Sequence, residues 1–217
     1  MTITTERTDT TTLNRLAELG AATVYEANGQ IGALDAGLKP LDPTSTLAGR
    51  AVTLDLAPAD NWYVHLALLE CGPGDVLVID AKGFLEAGPW GDVLTAAAQE
   101  RGVAGLVIDG AVRDSQDIIA SGFPVFARGL SIKGTTKVVP GKINVPVTVG
   151  GVIIEPGDVI IGDADGLVAV PQEQAERILK SAQGILAKET AAMKEIEAGT
   201  VDRAWVDKSL KEKGYKV

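Results

Sequence analysis

The chain has 217 residues, of which 46% are hydrophobic and 23% are charged, and this balance excludes a disordered or fibrous protein. Its net charge of −9 argues against binding to the phosphate backbone of a nucleic acid. The single cysteine, Cys71, excludes a disulfide within the chain and is expected to be buried. The polar, Thr-rich start and the lack of an apolar run of about 18 residues predict a cytoplasmic protein with no membrane partner.

The first third of the chain predicts a tail, two short helices, a strand and a third helix. Residues 1–10 are polar and predict a frayed tail. The elements that follow are a helix from Leu13 to Gly20, a second helix opened by the capping-box pair Thr23 and Glu26, a strand over 51–56, and a helix capped by Asp60 that runs to Leu69. Three leucines would bury this last helix against the core, at positions 66, 68 and 69.

The rest of the chain alternates strands with two further helices. The predicted elements are a strand over 76–79, a helix over 91–101, strands over 104–108 and 124–127, a hairpin of 145–149 with 152–154, and strands over 159–161 and 167–170. Asp163 and Asp165 are interpreted as part of a turn, because the other ligands of a calcium loop are lacking. Pro171 opens a long amphipathic helix over 171–198, which we expect at a subunit interface. The whole pattern predicts one α/β domain over residues 1–217.

Two segments carry candidate chemistry, and the first is the run Gly88-Pro-Trp-Gly-Asp-Val-Leu94. It is a glycine-rich loop that opens a helix, where free N–H groups and the helix dipole favour an anion such as a carboxylate. Many helices begin with Gly or Pro for steric reasons alone, so a purely structural loop is the alternative. Trp90 within the loop either lines a pocket mouth or only packs the loop.

The second segment is Val107-Ile-Asp-Gly-Ala-Val-Arg-Asp114, an apolar strand that runs into a polar turn. Binding sites of α/β proteins gather at the carboxyl ends of strands. Arg113 can hold a carboxylate or an enolate oxygen, and Asp114 offers a hard oxygen ligand for Mg²⁺ or Mn²⁺. The alternative is a surface Arg–Asp pair that closes the turn.

A third feature joins these segments, because twenty residues separate Asp92 from Arg113 and Asp117 follows Asp114 by three positions. The sequence resembles the class II pyruvate aldolases that act on 4-hydroxy-4-methyl-2-oxoglutarate and 4-carboxy-4-hydroxy-2-oxoadipate, whose superfamily includes the regulator of ribonuclease activity A. The resemblance extends roughly from Thr23 to Gly199. Its clearest pieces are Ala22-Thr-Val-Tyr25, Gly88-Pro-Trp-Gly91, Gly105-Leu-Val-Ile-Asp-Gly110, Val112-Arg-Asp114, Gly122-Phe-Pro-Val-Phe-Ala-Arg-Gly129 and Asn144-Val-Pro146.

This resemblance implies a fold, an assembly and a binding site for pyruvate. The fold would be the three-layer β/β/α swivelling-domain type of the ribonuclease-regulator-A-like proteins, and the assembly a homotrimer or homohexamer. The pyruvate carboxylate would be held by the backbone amides of Gly91, Asp92, Val93 and Leu94. Arg113 would contact the keto oxygen. Arg128, which ends a strand, would support the site or a subunit boundary.

The same resemblance implies a divalent metal cation, Mg²⁺ or Mn²⁺, as cofactor. Asp114 would bind the metal, and waters would fill most other positions. Asp92 would orient those waters or the substrate. An acidic residue from the C-terminal helix of a neighbouring subunit, Glu189 or Glu195, would complete the shell of waters.

The implied function is a lyase that cleaves a 4-hydroxy-2-oxo acid to pyruvate and a second oxo acid through a pyruvate enolate, and that also decarboxylates oxaloacetate. No lysine Schiff base is then needed, and the sequence gives no reason to assign one to Lys82 or Lys133. The general base would be a metal-bound water assisted by Asp92, and His65 is interpreted as a structural residue of an apolar helix. Two alternatives remain: a protein-binding regulator of an RNA-degrading enzyme, which would not require Asp92, and a same-fold enzyme for another oxo or sugar acid.

Overall fold

The computed structural model describes residues 8–202 and 204–215. The chain divides into two compact units, one up to Ala182 and one from Gln183 onward. The helices of the described residues are α1 (Thr10–Leu19), α2 (Ala21–Ala27), α3 (Trp62–Glu70), α4 (Asp92–Glu100), α5 (Ser115–Ser121), α6 (Ala175–Glu197) and α7 (Ala204–Glu212), with a 3-10 turn at Gln172–Gln174. The strands are β1 (Lys39–Pro40), β2 (Leu47–Asp55), β3 (Asp75–Phe84), β4 (Gly105–Val112), β5 (Val125–Leu130), β6 (Lys142–Ile143), β7 (Val147–Val149), β8 (Val152–Ile154), β9 (Val159–Gly162) and β10 (Leu167–Val170).

One large sheet organises the first unit. Its strand order is β1-β5-β4-β3-β2-β9-β10, and β6 also pairs with β2. The four central strands β2 to β5 are parallel neighbours, with Val78 beside Val107 and Ile108 beside Ala127. The carboxyl ends of β3 and β4 therefore lie side by side, which is where sites of such sheets form.

The central strands feed two separate cores, because alternate side chains of a strand point to opposite faces of the sheet. On one face, residues such as Ile79 and Ile108 pack with buried side chains of α3, α4 and α5. On the other face, Val78 and Phe126 pack with the β7–β8 hairpin. The layers are thus helices, main sheet and small hairpin, and the predicted three-layer β/β/α fold class is confirmed.

Most predicted elements are present with shifted bounds, and β4 is buried along its whole length, as its continuous apolar run predicts. Two helices, α5 and α7, were not predicted from the sequence. The seven residues of α5 contain only two adjacent isoleucines, too few to show a helical period. The exposed helix α7 buries none of its residues, so its sequence does not need the apolar stripe by which a helix is predicted.

The predicted capping box at the start of α2 is wrong. The helix begins at Ala21, after Gly20 with φ +81°, and Thr23 lies inside its first turn. The Ala21 N–H donates instead to Oδ2 of Asp163 at 2.7 Å. A carboxylate 142 residues away in the chain caps this helix, which no local pattern could reveal.

Helix α3 also departs from expectation. Its N-cap position is Asn61, one residue after the predicted Asp60. Of the three leucines predicted to be buried, Leu68 is buried, whereas Leu66 and Leu69 are 39% and 61% exposed. The helix is apolar on nearly every side, so composition does not tell which face contacts the sheet.

The long C-terminal helix is present as α6. Its buried residues Ala175, Ile178, Leu179 and Ala182 belong to the first unit. The interface role of this helix and the single domain over 1–217 stay predictions. Most of the predicted frayed tail lies outside the described residues, and α1 already begins at Thr10. Within the described ranges, every helix is too short or too polar to cross a membrane.

Candidate active site

A cavity of about 360 Å³ opens beside the start of α4, and we call it the Asp92 cavity. Four backbone segments surround it: the loop before α4 with its first turn, the end of β4, the start of α3 and a loop after β5. It is lined by Asn61, His65, Gly88, Pro89, Trp90, Gly91, Asp92, Val93, Leu94, Arg113, Gly134, Thr135 and Lys137. The structure thus gathers all four predicted amide residues, 91 to 94, and Arg113 in one place.

The first turn of α4 already contacts carboxylates. Gly91 is the N-cap residue and supplies no capping side chain. The Val93 N–H donates to Oδ1 of Asp92 at 2.7 Å, and the Asp92 N–H makes a long contact of 3.4 Å with Oδ2 of Asp114. N–H groups at a helix start attract anions, and the Asp92 carboxylate that contacts one of them here lies at the cavity wall.

Arg113 and Asp114 form the other side of this corner. The Arg113 N–H donates to the carbonyl of Trp90 at 3.0 Å, which ties the end of β4 to the glycine-rich loop. Its Nε lies 3.3 Å from Oδ2 of Asp114, and the two side chains are 47% and 32% exposed. Both charged groups therefore remain accessible to a ligand.

The backbone of Asp114 is in the left-handed region, at φ +56° and ψ +37°. Few residues other than glycine adopt this conformation, and strain of this kind concentrates at functional sites. Asp114 occupies the N-cap position of α5 yet makes no capping hydrogen bond to that helix. Its carboxylate turns instead towards Gly91 and Arg113.

Trp90 packs the loop with its buried side chain and is also among the residues that line the cavity. Its side chain is fully buried and stacks on Phe123 with ring centroids 6.2 Å apart. Its indole Nε1 donates to Oγ1 of Thr95 at 2.8 Å, and that hydroxyl donates to the carbonyl of Gly91 at 3.0 Å. The chain of contacts fixes Gly91 against the start of α4.

Four other lining residues had no place in the predicted site, and they are Asn61, His65, Thr135 and Lys137. The ammonium of Lys137 donates to Oδ1 of Asn61 at 3.0 Å, and Nδ2 of Asn61 donates to the carbonyl of Pro89 at 3.3 Å. One signal was available, because residues spaced as 61 and 65 share one face of a helix.

His65, which the sequence pattern placed in an apolar helix as a structural residue, lies at the surface of α3. Its side chain is exposed and lines the cavity. Partial desolvation of the imidazole in the cavity, followed by the nearby charge of Lys137, lowers the pKa of His65 below 6.5. The imidazole is therefore neutral at pH 7 and can accept a proton.

The lysines considered for a Schiff base lie elsewhere. Lys82 binds Asp55 and Asp80 at 2.6 Å each. Burial alone would lower its pKa, but hydrogen bonds to these two carboxylates outweigh burial and raise the pKa of Lys82. Lys133 pairs with Glu86. Neither lysine lines the Asp92 cavity.

Arg128 lies on the opposite face of the sheet from α4. It follows Phe126 of the second core by two positions in β5, and residues two apart in a strand share one face. Its guanidinium binds the carboxylates of Asp109 and Asp35, and Asp109 also accepts the Gly150 N–H at 2.9 Å. Arg128 therefore braces β4, β5 and two loops rather than the cavity itself.

The donor groups present fit a metal that keeps most of its waters. Within residues 8–202 and 204–215, no group of three or more His, Cys, Asp or Glu side chains could hold an ion on its own. Asp114 offers one accessible carboxylate, with Asp92 nearby, and Mg²⁺ commonly binds through one or two carboxylates plus water. Glu189 and Glu195 are exposed on the part of α6 in the second unit, and a role for either in a neighbouring subunit stays a prediction.

Known proteins resemble this chain along most of its length. A candidate 4-hydroxy-4-methyl-2-oxoglutarate aldolase of Halalkalibacterium halodurans is 40% identical over 178 residues, which cover 82% of this chain and 85% of the relative. The 4-hydroxy-4-methyl-2-oxoglutarate aldolase of Thermus thermophilus is 35% identical over 140 residues, covering 64% and 85%. The solved structure of Streptomyces coelicolor RraAS2, a member of the RNase ES inhibitor RraA family, superposes with a TM-score of 0.78 at 31% identity, covering 87% and 98%. The model of the RraA-like (Aldolase/RraA) family matches residues 21–169, and the chain belongs to this family.

Proposed function

We propose that the protein is a divalent-metal-dependent lyase that cleaves a 4-hydroxy-2-oxo acid to pyruvate and a second oxo acid. The substrate class is that of 4-hydroxy-4-methyl-2-oxoglutarate or 4-carboxy-4-hydroxy-2-oxoadipate, and oxaloacetate would lose carbon dioxide at the same site. One observation carries the proposal: the helix start, Asp92 and Arg113 line a single open cavity, and the Asp114 carboxylate adjoins them, at 3.4 Å from the Asp92 N–H and 3.3 Å from Nε of Arg113. The names of the aldolase relatives support it.

The pyruvate half of the substrate would bind at the start of α4. Its carboxylate would take the N–H groups of residues 91–94 in place of the protein carboxylates that contact them now. Arg113 would then face the keto oxygen, because its half-exposed guanidinium contacts Asp114 only at 3.3 Å and stays accessible to the substrate. A Mg²⁺ or Mn²⁺ ion held by Asp114 would supply positive charge beside the oxygen that becomes negative.

Cleavage removes one proton, whose O–H electron pair forms the carbonyl of the second oxo acid, and protonation of the enolate later returns one proton. The 4-hydroxyl loses its proton, the bond between C3 and C4 breaks, and its electron pair becomes the pyruvate enolate, leaving the second oxo acid. Arg113 stabilises the negative enolate oxygen, and C3 then takes up a proton to give pyruvate. In oxaloacetate, loss of carbon dioxide leaves the same enolate.

Two groups in the cavity can receive the hydroxyl proton. Asp92 can act through a water that it orients. His65 can accept the proton directly, because its imidazole is neutral at pH 7. The position of His65 in the cavity supports including it among the candidates.

The second carboxylate of the substrate needs a second cation in a chain of net charge −9. Lys137 lines the same cavity as Arg113 and is held by Asn61. We assign to Lys137 and Asn61 the recognition of the part of the substrate beyond pyruvate. Together, the two cations answer how so acidic a protein binds a doubly charged anion.

The test is pyruvate release from oxaloacetate and from 4-hydroxy-4-methyl-2-oxoglutarate, with Mg²⁺, with a chelator, and with Asp114→Ala protein. We expect release that requires the metal and is lost in the variant. Release that is equally fast with chelator or in Asp114→Ala would overturn the proposed role of the metal site. No release from either substrate by folded, metal-loaded protein would favour another oxo or sugar acid. The assembly, proposed as a trimer or hexamer, is checked by light scattering on the same sample.

A second candidate rests on the name of the Streptomyces relative, which belongs to an RNase inhibitor family. In this case the chain would bind an RNA-degrading enzyme and slow it. Such binding needs neither Asp92 nor Asp114, so inhibition that persists in the Asp114→Ala protein separates it from the lyase.

A further inference from the structure

Asp60 is a fully buried carboxylate that joins two segments of the chain. Its Oδ1 accepts the Trp62 N–H at 2.8 Å, at the start of α3. Its Oδ2 accepts three donors from the loop after β5, which are the Thr136 hydroxyl at 2.8 Å, the Val138 N–H at 2.8 Å and the Val139 N–H at 3.1 Å. No step of the proposed reaction uses this residue.

The backbone on each side of Asp60 reinforces the junction. The Thr136 N–H donates to the carbonyl of Ala59 at 2.8 Å, and the Asn61 N–H donates to the carbonyl of Thr136 at 3.0 Å. Ala59 adopts φ +58°, a conformation that alanine avoids unless its surroundings impose it. The loop and the start of α3 are therefore held in one arrangement.

The junction ends at the wall of the Asp92 cavity. Asn61 directly follows Asp60, and Lys137 directly follows Thr136. Both side chains line the cavity and bind each other at 3.0 Å, and Asn61 reaches the carbonyl of Pro89 in the glycine-rich loop. Moving either segment would separate this pair and shift the cation of Lys137.

We propose that Asp60 is a positioning residue, which holds Lys137 and Asn61 on the cavity wall and thereby sets the affinity for the negatively charged part of the substrate beyond the pyruvate unit. Asp60 does not touch the substrate and acts through its two neighbours. The substrate named here rests on the proposed function, whereas the placement of Lys137 does not.

Only a carboxylate meets all the demands of this position. Four donors converge on its two oxygens. In Asp60→Asn, the amide NH₂ must face at least one of these donors, so a hydrogen bond is replaced by a contact between two donors. Loss of the charge also weakens the remaining bonds. We therefore expect this change to loosen the loop that carries Lys137.

The chain has one histidine, so its imidazole gives one unambiguous NMR titration. The pKa of His65 is lowered by burial and by the charge of Lys137, which makes it a reporter of where Lys137 lies. With ¹³C-labelled histidine, Lys137→Gln should raise the pKa of His65 towards 6.5. Asp60→Asn should raise it in the same direction, and Thr136→Val, which removes one donor to Asp60, should do so to a smaller extent.

Ile154→Ala is the matched control, because Ile154 is buried in the core on the other face of the sheet. It should lower the melting temperature and leave the pKa of His65 unchanged. A pKa of His65 that stays at the wild-type value in Asp60→Asn and Thr136→Val, while Lys137→Gln raises it, overturns the proposal. An unchanged value in Lys137→Gln also overturns it, since Lys137 would then not lie beside His65.

Kinetics give the second readout. Asp60→Asn should raise the KM for 4-hydroxy-4-methyl-2-oxoglutarate about tenfold and change kcat by less than about threefold, as expected for lost binding rather than lost chemistry. An unchanged KM contradicts the proposal. If the wild-type protein releases no pyruvate at all, the proposed function fails, and the His65 titration still decides whether Asp60 positions Lys137.

Discussion

The Oδ2 atom of Asp114 lies 2.3 Å from the position that a β-carbon on Gly91 would occupy. The glycine therefore does two things at the start of α4: it adds no capping side chain of its own, and it lets the Asp114 carboxylate approach the N–H groups of the first turn. This close approach brings the anion-binding helix start and the proposed metal ligand together. Any other residue at position 91 must displace one of them.

Gly91→Ala should accordingly lower kcat for oxaloacetate decarboxylation by about 100-fold, the scale seen when one preorganised contact to a developing charge is lost. The reason is displacement of Asp114, so metal affinity should fall as well. Gly72→Ala is the matched control, because its β-carbon would meet only Asp75 at 3.8 Å, far from the cavity residues. Pyruvate release and Mn²⁺ binding measure the two effects, and full activity in Gly91→Ala would contradict the geometry.

Arg113→Lys tests the guanidinium fork while retaining the positive charge. We expect kcat/KM to fall by about 10² to 10³ because a lysine cannot reproduce the planar pair of donors at the enolate oxygen. The side chain is half-exposed, so the free energy of unfolding should change by less than about 1 kcal/mol. Steady-state kinetics and urea unfolding separate the effects, and equal activity of the two proteins would remove Arg113 from the mechanism.

The acid limb of the pH profile tests the general base. The pKa of His65 lies below 6.5, so the neutral imidazole is lost only as the pH falls through that lowered value. If His65 takes the 4-hydroxyl proton, kcat/KM declines below pH 6.5, and this decline disappears in His65→Gln together with most of the activity. A limb that persists in His65→Gln assigns the proton to the water oriented by Asp92. Because the unfolded chain binds this proton more tightly than the folded protein does, the fold loses stability as the pH falls below 6.5.

The contribution of Asp60 to the free energy of unfolding should depend on pH. Burial alone would raise the pKa of Asp60, but the hydrogen bonds from Val138, Trp62, Thr136 and Val139 outweigh burial and lower it from 3.8 to about 2. The ionised carboxylate therefore contributes its full stability above pH 3.8, and this contribution is lost as the pH falls through about 2. Urea unfolding of wild-type and Asp60→Asn proteins should show a difference at pH 7 that shrinks towards pH 2. A constant difference over that range would contradict the lowered pKa.

Trapping with sodium borohydride tests the absence of a Schiff base. The pKa of Lys82 is raised and its ammonium is bound by two carboxylates, so it is a poor nucleophile. We expect no covalent adduct in the mass spectrum after treatment with borohydride and pyruvate, and no loss of activity. An adduct on Lys137, the lysine in the cavity, would instead show a metal-independent mechanism.

The sequence by itself determined the α/β class, most elements and one half of the candidate site. Strand and helix periods are local properties, and the loop 88–94 directly precedes the helix whose N–H groups it exposes. Arg113 and Asp114 follow the end of β4, so their place at the edge of the sheet comes from the strand itself. The specific roles of these residues, the metal and the subunit contacts remain proposals for the experiments above.

The tertiary structure alone decided the other half of the site. His65 and Lys137 are 72 positions apart, and only the packing of α3 beside the loop after β5 brings them to one cavity. The same holds for Asp60, which had appeared as a helix cap and proves to bind a segment 76 to 79 residues away. Asp163 is a further example, because it caps α2 although it lies 142 residues away along the chain. Periodicity and capping rules describe neighbours along the chain, whereas these contacts depend on which distant backbone groups the folded sheet leaves facing a carboxylate.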